Sequence, residues 1–173
     1  MAHRSSLNEP NARKPPDAVR TDYTGAIYGS LLAASVVAGA STLGHHPRFE
    51  LVVLLLCTGG VFWAAHVYAD FVGDRLRHRA TTWREIRHVC VREWPIVQSA
   101  FLPAAAVAIS PLLGLGLEGT AWLALGVAVA QQVSWASAAV IRAGASRGAV
   151  ASVAVVNLAL GLIIVAAKAA LQH

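Results

Sequence analysis

Five apolar runs divide this chain, at approximately 23–43, 51–72, 94–113, 120–141 and 148–171. Each is close to the ~20 residues a helix needs to cross ~30 Å of hydrocarbon. A bilayer offers no water to the backbone amides, so such segments cross as helices whose hydrogen bonds close internally. The third run holds Pro103 and Pro111. A kink is expected there, with neighbouring groups serving the carbonyls that proline frees. The expected fold is therefore all-α: a polytopic membrane protein, a bundle of five transmembrane helices with a short amphipathic cytoplasmic linker helix. Composition agrees, because 56% of the residues are hydrophobic and only 13% charged. A soluble domain carries roughly 25% charged residues, and this chain lacks the charge to cover one.

Residues 1–20 contain three prolines, mixed charges and few bulky apolar groups. They cannot bury enough surface to offset ordering, so a disordered cytoplasmic tail is expected ahead of a membrane domain spanning 21–173. The stretch around residue 10 is polar where a secretory leader would be apolar, which makes the first run an uncleaved anchor. Of the 14 Lys and Arg residues, all but Arg48 and Lys168 fall in the tail, in the segment between the second and third runs, or in the turn before the fifth. By the positive-inside rule the N-terminus is cytoplasmic and the C-terminus extracytoplasmic, in a bacterial cytoplasmic (inner) membrane. The net charge of +5 then reports topology and attraction to anionic headgroups of the lipid bilayer. No phosphate-binding glycine loop or aromatic-basic pattern suggests nucleic acid. Cys57 and Cys90 form no CxxC pair, which excludes a disulfide framework and a thiolate zinc module.

The linker, 73–93, is mostly basic. Thr82 followed by Glu85 has capping-box spacing, so a helix is predicted to start at Trp83. Trp83, Ile86, Cys90 and Trp94 would share one face, opposed by Arg84, Arg87, His88 and Arg92. Such a helix would lie on the inner membrane surface, and Arg75, Arg77, Arg84, Arg87 and Arg92 are candidates for contact with lipid phosphates. His78 and His88, set among arginines, are poor metal ligands.

Ionisable and amide side chains at membrane depth are the candidate functional groups. His66 and Asp70 of the second run and Asp74 just past its inner end stand at i, i+4 and i+8 and project from one helical face. An imidazole above two carboxylates can pass protons or hold a divalent cation. Gln98 and Ser99 mark the inner part of the third run, Gln131 and Gln132 the middle of the fourth, and Asn157 the middle of the fifth. They could line an ion path with His66 and Asp70, or act as interhelical hydrogen bonds. Lys168 is near enough to the outer end to snorkel. Gly25, Gly29 and Ala33 form a small-residue ladder, as do Gly126 and Ala130, for packing within or between chains.

Several of these residues also resemble a known family. Ile27-Tyr28-Gly29, Ser35 and Ala38-Gly39-Ala40 are similar to the first-helix run of the vacuolar iron transporter family. Gly59-Gly60 and Ala64-Ala65 before Tyr68 resemble the stretch ahead of that family's glycine-glutamate-tyrosine motif, and the last two runs with their short basic hinge resemble its closing helix pair. The resemblance implies five spans and cation transport. The chain departs from it where chemistry is concerned: Ser30-Leu31-Leu32-Ala33 holds no carboxylate, His66, Val67, Tyr68 and Asp70 replace the second-helix glutamate, and the acidic metal-binding helices shrink to 21 mostly basic residues.

Two functions fit. One is a small proton or divalent-cation transporter or channel. The other is a non-transporting scaffold or accessory subunit, possible homo-oligomers included, acting through helix packing and the basic linker. An enzyme is not expected, since no GxSxG, HExxH or paired catalytic carboxylates occur at membrane depth. No cofactor is expected, and the residues name no particular metal.

Overall fold

The computed structural model describes residues 23–40, 47–76 and 82–171, with the side chains of 74–76 and 171 excepted. Among the described residues the regular elements are all helices, without strands. The elements are α1 (Tyr23–Gly39), α2 (Pro47–Leu76), α3 (Trp83–Glu93), α4 (Pro95–Ile109), a 3₁₀ turn (Ser110–Leu113), α5 (Leu117–Arg142) and α6 (Arg147–Leu171). Among the described residues, four helical stretches are long and apolar enough to cross a membrane: Pro47–Gly73, Trp83–Leu113, Leu117–Arg142 and Arg147–Ala170. α1 is apolar but has 17 residues, about 25 Å of helix at 1.5 Å per residue. The tail and Arg77 lie outside the described residues, as do the side chains of Asp74 and Arg75.

Alanine and glycine govern how these helices assemble. α1, α4 and α5 pack against one another, α2 lies chiefly on α4, and α6 chiefly on α5. Their shared core is built from Ala33, Ala34, Val37, Leu51, Leu55, Ala104, Val107, Ala124, Leu125, Ala128 and Val129. Lipid gives no hydrophobic drive between helices, so association depends on close backbone approach past small residues. The Gly25–Gly29–Ala33 ladder is used within the chain. A Cβ at Gly25 would meet Ile96 Cγ1 at 3.1 Å, and one at Gly29 would meet the Ile96 carbonyl oxygen at 2.9 Å and collide with the Ser99 hydroxyl. Gly59 of α2 similarly approaches Ala100 of α4. The second ladder is different: Gly126 and Ala130 face outward.

α6 is anchored by one contact of this kind. A Cβ at Gly161 would sit 2.5 Å from Val129 Cγ1. Gly161→Ala is expected to destabilise the bundle by about 1–3 kcal/mol through overpacking, and Val129→Ala in the same chain to restore most of that loss. Thermal unfolding of the two single variants and the double in detergent measures both effects. The opposite side of α6 is exposed at Val155, Val156, Leu162 and Ile163, as α2 is at Phe49, Val61 and Tyr68. Apolar faces of this extent suit lipid or another apolar surface rather than water.

The turns are closed by glycine and by local side chains. Gly114 (φ 68°) and Gly144 (φ 73°) take the left-handed conformation. After each, the chain makes the paired bonds of a Schellman cap: Leu115 N to Ser110 O with Gly114 N to Pro111 O, and Ala145 N to Val140 O with Gly144 N to Ile141 O. Pro111 cannot donate to the Val107 carbonyl, and the Ser110 hydroxyl does so instead at 2.8 Å. Thr120 donates to Ser110 Oγ (2.8 Å), while Arg48 at the start of α2 donates to Thr120 Oγ1 (3.4 Å) and the Leu115 carbonyl (2.6 Å). Arg48 thus pins the α4–α5 turn.

Candidate functional site

The polar groups singled out in the sequence fall into two separate places. The first is the end of the bundle where α2 meets α3. Thr82 N–H donates to Glu85 Oε2 at 2.8 Å, which starts α3 at Trp83. Trp63 Nε1–H donates to the Cys90 carbonyl at 3.0 Å, and its ring stands edge-on to Trp94 with centroids 6.0 Å apart. Arg92 bridges Asp70 of α2 and Glu93, the latter at 3.0 Å. Arg92, expected to face lipid phosphate, instead latches α3 to α2. Because Asp70 and Arg92 are each about 40% exposed (42% and 39%), this pair contributes only ~0–1 kcal/mol. Arg84, Arg87 and His88 are exposed. Ile86 and Cys90 are half-buried, but Trp83, expected on the packed face with them, is 80% exposed.

His66 is half-buried one turn above Asp70. Its Nδ1 lies 2.9 Å from the Phe62 carbonyl. A carbonyl only accepts, so Nδ1 carries the proton and Nε2 is the basic nitrogen. The ring meets Tyr28 of α1 at 5.6 Å, and Tyr28 also stands edge-on to Phe62. Helical spacing puts His66 and Asp70 on one face but does not join them: the imidazole turns to its own backbone and the carboxylate to α3. Tyr28, the neighbour of His66 from another helix, had no signature in the sequence beyond its aromatic character. Among the described residues, no three His, Cys, Asp or Glu side chains gather to hold a metal. A small apolar cleft of about 10 Å³ lies between α1, α2 and α4, beside Gly29, Thr58 and Gly59.

The second place is the middle of α5. Pro103 has no N–H, so the Ser99 carbonyl one turn earlier in α4 loses its helical donor. Gln131 Nε2 supplies that donor at 3.3 Å, and α4 continues unbroken through Pro103. On the next residue, Gln132 Nε2 donates to the Asn157 backbone carbonyl (3.2 Å) and side-chain Oδ1 (3.1 Å), while Asn157 Nδ2 donates to the Val153 carbonyl (2.9 Å). Backbone carbonyls fix which end of each amide is nitrogen. The opposite ends, Gln131 Oε1 and Gln132 Oε1, are buried without a hydrogen-bond partner in the protein. An unsatisfied buried acceptor costs ~1–3 kcal/mol.

Two further placements correct the sequence reading. Gln98, beside the buried Ser99, is exposed and does not enter the bundle. Lys168 does not snorkel: it is 4% exposed, with Nζ 5.9 Å from the centroid of Trp122 on α5. That arrangement is a cation–π contact at the end of the bundle that also holds Arg48.

His66 and Asp70 thus lie with α1 and α3, whereas Gln132 and Asn157 join α5 to α6. No protein-family model matches this chain, and neither the curated proteins nor the solved structures gave a match to it.

Proposed function

We infer that this protein is an integral membrane scaffold or accessory subunit rather than a transporter. In this reading all five apolar helices cross the cytoplasmic membrane, with α3 and the N-terminus on the cytoplasmic side and the C-terminus outside. It keeps the five-span plan of the vacuolar iron transporter family without that family's acidic ion path. One observation carries the reading: five of the groups that would line a path, Asp70, His66, Gln131, Gln132 and Asn157, are divided between two places and bonded there to the protein itself. Asp70 pairs with Arg92, His66 holds Phe62, Gln131 serves the carbonyl freed by Pro103, and Gln132 holds Asn157. Those of these bonds that join two helices contribute ~0.6 kcal/mol each on average. They support a fixed bundle that presents its outer faces to lipid or to partner helices, with Arg84 and Arg87 exposed toward anionic headgroups.

The transporter reading retains one specific support, the imidazole of His66 set beside Tyr28 of α1. Proteoliposomes holding an internal pH dye and a divalent-metal dye separate the two. The expected result is proton and metal flux no greater than in protein-free vesicles. Flux that wild type shows and folded His66→Ala and Asp70→Asn lose would replace the scaffold with a transporter whose path follows α2.

A further inference from the structure

We propose that the side-chain oxygens of Gln131 and Gln132 are each capped by a small electropositive guest, either the O–H of an ordered water or a monovalent cation. The two residues are neighbours in the middle of α5, but Gln131 reaches to α4 and Gln132 to α6, so each oxygen needs a donor of its own. Both are sealed from solvent, and the residues are only 7% and 0% exposed. Neither amide can turn over to hide its oxygen, because each nitrogen is held by a backbone carbonyl, Ser99 O on α4 and Asn157 O on α6.

The hydroxyls of the surrounding helices have already given their protons elsewhere, and the amide of Asn157 does not reach either oxygen. Ser30 Oγ donates to the Ala26 carbonyl at 2.8 Å, Ser99 Oγ to the Ile96 carbonyl at 2.6 Å, and Asn157 Nδ2 to the Val153 carbonyl at 2.9 Å. Backbone N–H groups in these helices belong to the helical ladder. Hydrocarbon around the bundle donates nothing. A donor for the two oxygens therefore comes from a guest. Amide oxygens are neutral, hard acceptors, which suits water and weakly hydrated monovalent cations and disfavours anions.

The test is isotope-edited infrared spectroscopy of the full-length protein in detergent, labelled with glutamine carrying ¹³C at the side-chain carbonyl. Differences between wild type and the single variants Gln131→Leu and Gln132→Leu isolate each carbonyl band. The site predicts that both bands are shifted down to the position of a hydrogen-bonded or ion-bound amide. A band that moves when choline is exchanged for sodium, potassium or ammonium identifies a cation, and a shifted band indifferent to that exchange identifies water. Bands at the position of a free amide would overturn the site. Each variant is checked for folding by circular dichroism, and if neither Leu variant folds, Gln131→Glu and Gln132→Glu serve as the subtraction references.

Discussion

Gly29→Val is expected to abolish the packing of α1 on α4. The added Cβ falls 2.9 Å from the Ile96 carbonyl oxygen and onto the Ser99 hydroxyl, neither of which is the free end of a flexible side chain. Helix α1 would have to withdraw along its length, taking Ala33, Ala34 and Val37 out of the core. The expected loss is about 3 kcal/mol or more, the upper range for overpacking, seen as a lowered thermal midpoint in detergent and a reduced yield of monodisperse protein. Gly126→Ala is the matched control. That residue lies exposed on α5 with nothing within 4 Å of a new Cβ, so its effect is expected to stay within about 1 kcal/mol and to favour the helix.

The second large effect concerns Gln131. Removing its amide by Gln131→Leu leaves the Ser99 carbonyl without a donor inside the bundle, at a cost of ~1–3 kcal/mol. That cost depends on Pro103. In a Pro103→Ala background, residue 103 regains an N–H, and the Ser99 carbonyl recovers its helical donor. The same Gln131→Leu substitution is then expected to cost much less. A double-mutant cycle of thermal unfolding for wild type, Gln131→Leu, Pro103→Ala and the double variant measures the coupling. Strict additivity would refute the link between the proline and the glutamine.

These cases also show which parts of the molecule are legible in the sequence. Features set by neighbours along the chain could be read directly: the helical nature of the apolar runs, the Thr82–Glu85 start of α3, and the small-residue face of α1. The need for a donor near Pro103 follows from the chemistry of proline alone. The identity of the donor does not, because Gln131 reaches Ser99 only after α4 and α5 take their relative rotation and depth. Asp70 with Arg92, His66 with Tyr28, and Lys168 over Trp122 are obscured in the same way. Helical periodicity says which residues share a face, but not which helix that face meets. Lys168 near a helix end satisfies the snorkelling pattern equally well whether an aromatic ring waits inside the bundle or not. Arg48 reads as a flanking charge until the α4–α5 turn is seen folded against it.

The most direct measurement is side-specific cysteine labelling, since the whole account depends on five crossings with α3 on the inner side. Single cysteines Ser6→Cys, Arg84→Cys and Glu118→Cys are placed in a chain carrying Cys57→Ser and Cys90→Ser, and intact bacterial cells expressing each are treated with a membrane-impermeant maleimide. The account predicts labelling of Glu118→Cys from outside, with Ser6→Cys and Arg84→Cys labelled only after the membrane is opened. Outside labelling of Ser6→Cys would mean that α1 does not cross, and labelling of Arg84→Cys and Glu118→Cys from the same side would contradict the bundle's placement in the membrane.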